Sequence, residues 1–117
     1  MKVTSLGRPA TFYIPADKWH GESSRDYTFR GKTVQMLTHE FLIGNYNGYS
    51  VRGPFKGYWR PAKNVDTTNE DVMEIKVSFR GKERIPKLQK FLAGMCKLMR
   101  EECLYLETGE DSWLIYP

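Results

Sequence analysis

Residue types able to act on a small molecule gather in one region of this chain. Tyr46, Tyr49, Tyr58 and Trp59 fall within fourteen residues, and Glu70, Asp71 and Glu74 follow the next connection. These side chains supply charge, hydrogen bonds and aromatic faces. The sequence holds no GxGxxG, Walker loop, HExxH or GxSxG, so no cofactor or nucleophile motif is signalled. His20 and His39 stand alone, without a carboxylate or histidine at metal-ligand spacing on a shared helix face, which argues against a dedicated zinc or iron site. Cys96 and Cys103 are the only cysteines, with no CxxC or Cys/His cluster, and read as buried free thiols. By themselves, the aromatic residues read more readily as hairpin packing and the acids as solvated strand ends than as a site.

The elements that must position these residues are organised around Glu70–Phe79, read EDVMEIKVSF. Met73, Ile75, Val77 and Phe79 alternate with Glu74, Lys76 and Ser78, the period of a strand with one buried face. From Arg84 to Glu102, apolar residues at Ile85, Leu88, Leu92, Met95 or Cys96, and Met99 mark a helix with one apolar stripe. Pro86 is tolerated in its first turn, whereas Gly94 lies mid-helix at a cost near 1 kcal/mol unless it permits a close approach to the sheet. Cys103–Glu107 turns extended again, and strand, helix and returning strand form a βαβ-type unit. The helix covers one sheet face; the face bearing Glu74 and Lys76 has no evident cover.

Upstream, Thr11–Ile14 is a short strand whose limits Pro9 and Pro15 are expected to set. Residues 16–31 are polar and read as a surface loop, although Trp19, Tyr27 and Phe29 are too large to stay wholly exposed. Val34, Met36, Leu37 and Phe41 predict a helix over Thr33–Ile43 with Gly44 as its stop, followed by a turn at Asn45–Gly48. Tyr49–Arg52 and Phe55–Arg60 predict a hairpin turning at Gly53-Pro54. Residues 61–69 are a polar connection, 108–111 a turn, and Trp113–Tyr116 a last strand. The order predicts a ferredoxin-like α+β sandwich, an antiparallel sheet with two helices on one face and a hairpin elaboration.

A chain of 117 residues suits a single domain over 1–117, with residues 1–9 expected as a disordered N-terminal segment. No apolar run nears the roughly 20 residues of a membrane span, and the start lacks a signal-peptide core, so the chain reads as soluble and intracellular. The net charge is +4 and the pI about 9.1. Acidic residues are interspersed among the basic ones, a pattern of solvated surface rather than of a nucleic-acid footprint.

The succession GYSVRGPFKGYWR, then EDVMEIKV, then a helix closing in REECLYLE resembles the small bacteriophage S-adenosylmethionine-degrading enzymes, the SAM lyases formerly called SAM hydrolases. The resemblance covers roughly residues 44–107; nothing before Thr33 contributes to it. It implies a ferredoxin-like subunit in a homo-oligomer, a trimer, with active sites where subunits meet, acting in the cytoplasm of an infected bacterial host. It also implies conversion of S-adenosylmethionine to methylthioadenosine and homoserine lactone, the substrate's own carboxylate attacking its γ-carbon. Such chemistry needs no metal, cofactor, protein nucleophile or activated water. The work left to the protein is to hold the substrate folded for in-line attack. On the resemblance, Glu70 matches the acidic position before the central strand and pairs with the substrate's ammonium or sulfonium. Tyr58 matches the aromatic hydroxyl of the hairpin and positions the reacting end. The alignment across 61–69 leaves Asp71 and Glu74 as alternatives to Glu70.

Two other readings stay open. One is a non-catalytic module binding a small ligand or a protein through the uncovered sheet face. The other is a single-strand nucleic-acid binder stacking bases on Tyr49, Phe55, Tyr58 and Trp59.

Overall fold

Where the alternating apolar residues fall decides how the strands pair. In the computed structural model, which describes residues 1–46, 48–59, 66–81 and 84–117, the elements follow in chain order. They are β1 (Arg8–Pro15), α1 (Ala16–His20), a 3-10 turn (Glu22–Asp26), the two-residue strands β2 (Thr28–Phe29) and β3 (Lys32–Thr33), α2 (Val34–Asn45), β4 (Tyr49–Trp59), β5 (Thr68–Phe79), α3 (Arg84–Leu98), β6 (Leu104–Thr108) and β7 (Ser112–Ile115). The main sheet has five strands in the order β4-β5-β1-β6-β7, and each neighbouring pair is antiparallel. Setting aside β7, this is the strand order of a ferredoxin-like sandwich, as the element order predicts.

The inner face of the sheet carries Ala10, Phe12 and Ile14 of β1, Met73, Ile75, Val77 and Phe79 of β5, and Leu104 and Leu106 of β6, all buried. Phe12 sits between Ile75 and Leu106 in the ladder. Helix α2 turns Val34, Thr38 and Leu42 inward, and α3 turns Leu88, Leu92, Met95 and Cys96 inward. The two helices meet through Phe41 and Phe91, stacked with ring centroids 4.0 Å apart. Every fourth residue of α2 is therefore core, and Thr38 can be there because its hydroxyl donates to the Val34 carbonyl at 2.7 Å. Met36, expected in the apolar stripe, is exposed instead.

Several boundaries differ from the sequence expectation for local reasons. Strand β1 runs through both Pro9 and Pro15, so residues 8 and 9 belong to the sheet rather than to a disordered segment. Both prolines lie outside Ala10–Phe12, the stretch where β6 also pairs with β1, so each has a sheet neighbour on one side alone, the setting in which a strand accommodates proline. Gly53-Pro54 does not turn a hairpin: β4 continues through it as one strand along β5, with a register irregularity between Arg52 and Phe55. Gly53 adopts φ 129° there, and on an edge strand a bulge accommodates both glycine and proline. Gly44 does not stop α2, which runs to Asn45 after Thr33 caps its start by accepting the Met36 N–H. Helix α3 ends at Leu98, short of Glu102. Arg100 takes a left-handed φ of 57°, the Glu101 N–H reaches the Cys96 carbonyl and the Arg100 N–H reaches that of Lys97. This is a Schellman closure without glycine. Asn47 of the expected 45–48 turn, Arg60 of the expected strand and residues 61–65 of the expected connection lie outside the described residues.

Both cysteines are free, and burial pushes the Cys96 thiol up to about 11. Among the described residues no helix is long and apolar enough to cross a membrane.

Gly94 is exposed and nothing stands within 4 Å of the position its Cβ would take, so it serves no close approach to the sheet. Gly94→Ala is expected to raise the unfolding free energy by up to about 1 kcal/mol, read as a higher denaturant midpoint with an unchanged slope.

Candidate active site

Strand β5 is longer than its central neighbour. Pairing with β1 stops at Pro15↔Val72, so Thr68–Asp71 is bound to β4 alone and projects beyond the sheet centre. The chain leaving β1 turns at once into α1, which packs beside this projecting segment. Between them lies an open cleft of about 400 Å³, lined by residues that include Asp17 and His20 of α1, Pro54 of β4, and Glu70 and Asp71 of β5. The polar loop expected over 16–31 thus contains a one-turn helix that buries Ala16 and Trp19 and presents Asp17 and His20 to the cleft. Of the other large side chains in that stretch, Tyr27 packs against the core, whereas Phe29 is exposed. The missed signal is Ala16 and Trp19 three apart, with acid in the first turn, base in the last, and Gly21 after them.

The three candidate carboxylates fall into different environments. Asp71 lies in the cleft but is paired with Lys56 across the ribbon at 2.8 Å. Glu74, four residues on and therefore on the same side of β5 as Glu70, is engaged instead, pairing with Arg52 at 3.1 Å and accepting from the Tyr13 hydroxyl at 3.4 Å. Glu70 is half-buried, lines the cleft, and makes no ion pair or hydrogen bond among the described residues. Burial, reinforced by the negative charge of Glu101 and opposed by Lys18, holds its carboxyl above the usual carboxylate range.

Tyr58 is placed elsewhere. Cross-strand partners share a face, and Tyr58 is opposite Asn69 whereas Glu70 is opposite Gly57, so the two side chains leave opposite sides of the ribbon. Tyr58 is 67% exposed and does not line the cleft of its own chain. The same pairing divides the aromatic cluster: Phe55 and Trp59 share one face, Tyr58 takes the other, and Tyr49 packs against the core. The four rings therefore form no single stacking platform. The uncovered sheet face does exist, and Thr11, Tyr13, Glu74, Lys76 and Glu107 share it by register.

No protein-family model matches this sequence, and no curated protein matches it. Among solved structures, one described as a phage SAM lyase in complex with S-methyl-5'-thioadenosine superposes with a TM-score of 0.62. The superposition covers 100% of this chain and 95% of that one, at 13% sequence identity. The two proteins share a fold from end to end, including the segment before Thr33.

The raised Glu70 carboxyl has a stability consequence of definite sign. Below the unfolded carboxylate pKa of about 4.3, both states hold the proton and the group contributes nothing. As pH rises through the folded pKa, the folded state releases that proton at a cost the unfolded state does not bear, and stability falls. Glu70→Gln is therefore expected to melt above the wild type at neutral pH and level with it near pH 3. A neutral-pH melting point below that of the wild type would contradict the placement of Glu70.

Proposed function

We propose that this protein degrades S-adenosylmethionine to methylthioadenosine and homoserine lactone. The observation that carries the reading is the half-buried Glu70 carboxylate in the cleft, without a cation of its own among the described residues, in a chain that shares its fold throughout with a phage SAM lyase. The substrate carboxylate attacks the γ-carbon, the carbon–sulfur bond breaks with its electron pair passing to sulfur, and the sulfonium leaves as a neutral thioether. No proton needs to move and no outside atom enters. The protein contributes by holding the chain folded with the carboxylate in line behind the breaking bond.

Charge bookkeeping in this reaction assigns Glu70 its partner. The sulfonium and carboxylate charges cancel as the transition state forms, whereas the ammonium charge persists. A protein anion bound to the sulfonium would lose its attraction during the step, stabilising the ground state more than the transition state. Glu70 held to the ammonium loses nothing, and this is the role we give it. A cationic substrate also favours the ionised carboxylate, so binding tightens as pH rises through the Glu70 pKa.

Tyr58 enters the same reading through assembly. In our proposal the subunits form a trimer, and each cleft beside Glu70 is completed by Tyr58 from a neighbouring copy. Its exposure, together with that of Phe55 and Trp59, suits an edge strand used for contacts between copies.

Incubation with S-adenosylmethionine and chromatography tests the reaction: the wild type should release methylthioadenosine, and absence of product at high protein concentration would discard the proposal. Glu70→Gln and Tyr58→Phe are each expected to lose most of the turnover while remaining folded. Mixing and reassembling the two variants should restore about a quarter of the sites, those that draw an intact Glu70 and an intact Tyr58 from different copies. No recovery on mixing would place both residues in one subunit's site or remove Tyr58 from it.

A further inference from the structure

Helix α1 is a single turn of five residues with no side-chain cap at its start, far too short to hold its place by itself. Contacts to the rest of the chain hold it, two of them from its third and fourth residues. Trp19 is buried in the core, and Lys18 reaches the connection after α3. There the Lys18 ammonium donates to the Met99 carbonyl at 2.7 Å and to the Glu101 carboxylate at 2.5 Å, and it lies 5.0 Å from the centre of the Tyr27 ring. The Lys18 and Glu101 side chains are only 17% and 22% exposed, so this pair is sheltered from solvent far more than an ordinary surface bridge. At 100° per residue, Lys18 leaves the turn on a different side from Asp17 and His20, the residues that line the cleft with Glu70.

We infer that the Lys18–Glu101 pair is the positioning device of the cleft, holding α1 so that Asp17 and His20 stand across from Glu70. This rests on the reading of Glu70 as the group that binds a cationic substrate. Among the described residues, the charged groups around Glu70 are Asp17, Lys18 and His20 from α1, Glu101 from the connection after α3, and Asp71 beside it with Lys56 of β4. Burial and Glu101 push the Glu70 carboxyl up while Lys18 pulls it down. Asp71 is already neutralised by Lys56.

The test is a carbon-13 titration of the Glu70 side-chain carboxyl by NMR in the full-length protein, with the His20 resonances followed alongside, comparing wild type with Glu101→Gln, Lys18→Met and Lys18→Arg. Glu101→Gln keeps an acceptor for Lys18 but removes the negative charge, so the Glu70 midpoint should fall. Lys18→Met should raise it, and Lys18→Arg should restore it toward the wild-type value. In the same variants methylthioadenosine release should lose on the order of tenfold in kcat/KM with Lys18→Met and recover with Lys18→Arg. His20 and Glu70 resonances that do not move in folded Lys18→Met, or in folded Glu101→Gln if Lys18→Met fails to fold, overturn the inference, whether or not the protein acts on S-adenosylmethionine. Midpoints that move as stated in a protein whose wild type releases no methylthioadenosine remove the lyase reading alone.

Discussion

The antiparallel ladder between β1 and β5 is the constraint on which the rest of the structure depends. It pairs eight residues of each strand, from Arg8↔Phe79 to Pro15↔Val72, and buries Phe12 and Ile14 against Ile75 and Met73 at the centre of the sheet. Because side chains alternate with a period of two, this one register sends Ile75 and Val77 inward and Glu74 and Lys76 outward; a slip of one residue would exchange the faces. The ladder also ends before β5 does. Beyond Pro15 the projecting end of β5 has no central neighbour, and α1 fills that corner incompletely, leaving the cleft. The site is in this sense a by-product of two strands of unequal length.

The cleft brings together groups from distant parts of the chain. Asp17 and His20 come from the turn after β1, and Glu70, more than fifty residues from Asp17 in sequence, from the projecting end of β5. Under the proposed function, local electrostatics must do all the recognition of the cationic substrate, since the molecule as a whole carries +4 and repels a cation at long range. A half-buried carboxylate kept above its usual range works against the stability of the fold. That kind of cost is tolerated at sites selected for binding rather than for packing.

Strand β5 and helix α3 are legible in the sequence because each buries one face and repeats its pattern long enough to separate a period of two from one near four. The order of the elements then leaves few ways to arrange them, and the ferredoxin-like sheet follows. The misread positions have local physical causes. Gly53-Pro54 carries the composition of a turn, yet β4 absorbs it as a bulge, because only long-range pairing with β5 decides between the two. Arg100 occupies a left-handed cap that composition would assign to glycine, which hides the end of α3. Thr38 is core although its side chain is polar, since the helix carbonyl at Val34 satisfies its hydroxyl. Glu70 is legible as a candidate from its place at the start of β5. That it lies in the cleft while Glu74 is bound to Arg52 depends on the three-dimensional pairing of β4. Asp17 and His20 sit in a stretch whose glycine and serine content conceals a single helical turn.

The central claim is that Glu70 and α1 together form the binding site for a small cationic nucleoside. Amide chemical-shift mapping of the isotope-labelled protein, titrated with S-adenosylmethionine and with methylthioadenosine, tests it most directly. The account predicts the largest saturable changes at Asp17, His20, Gly21, Glu70 and Asp71, and, for S-adenosylmethionine, their loss in Glu70→Gln. Changes confined to the open sheet face around Tyr13 and Glu74, or to the surface of α2 around Met36 and His39, would contradict it, as would no saturable change at any residue.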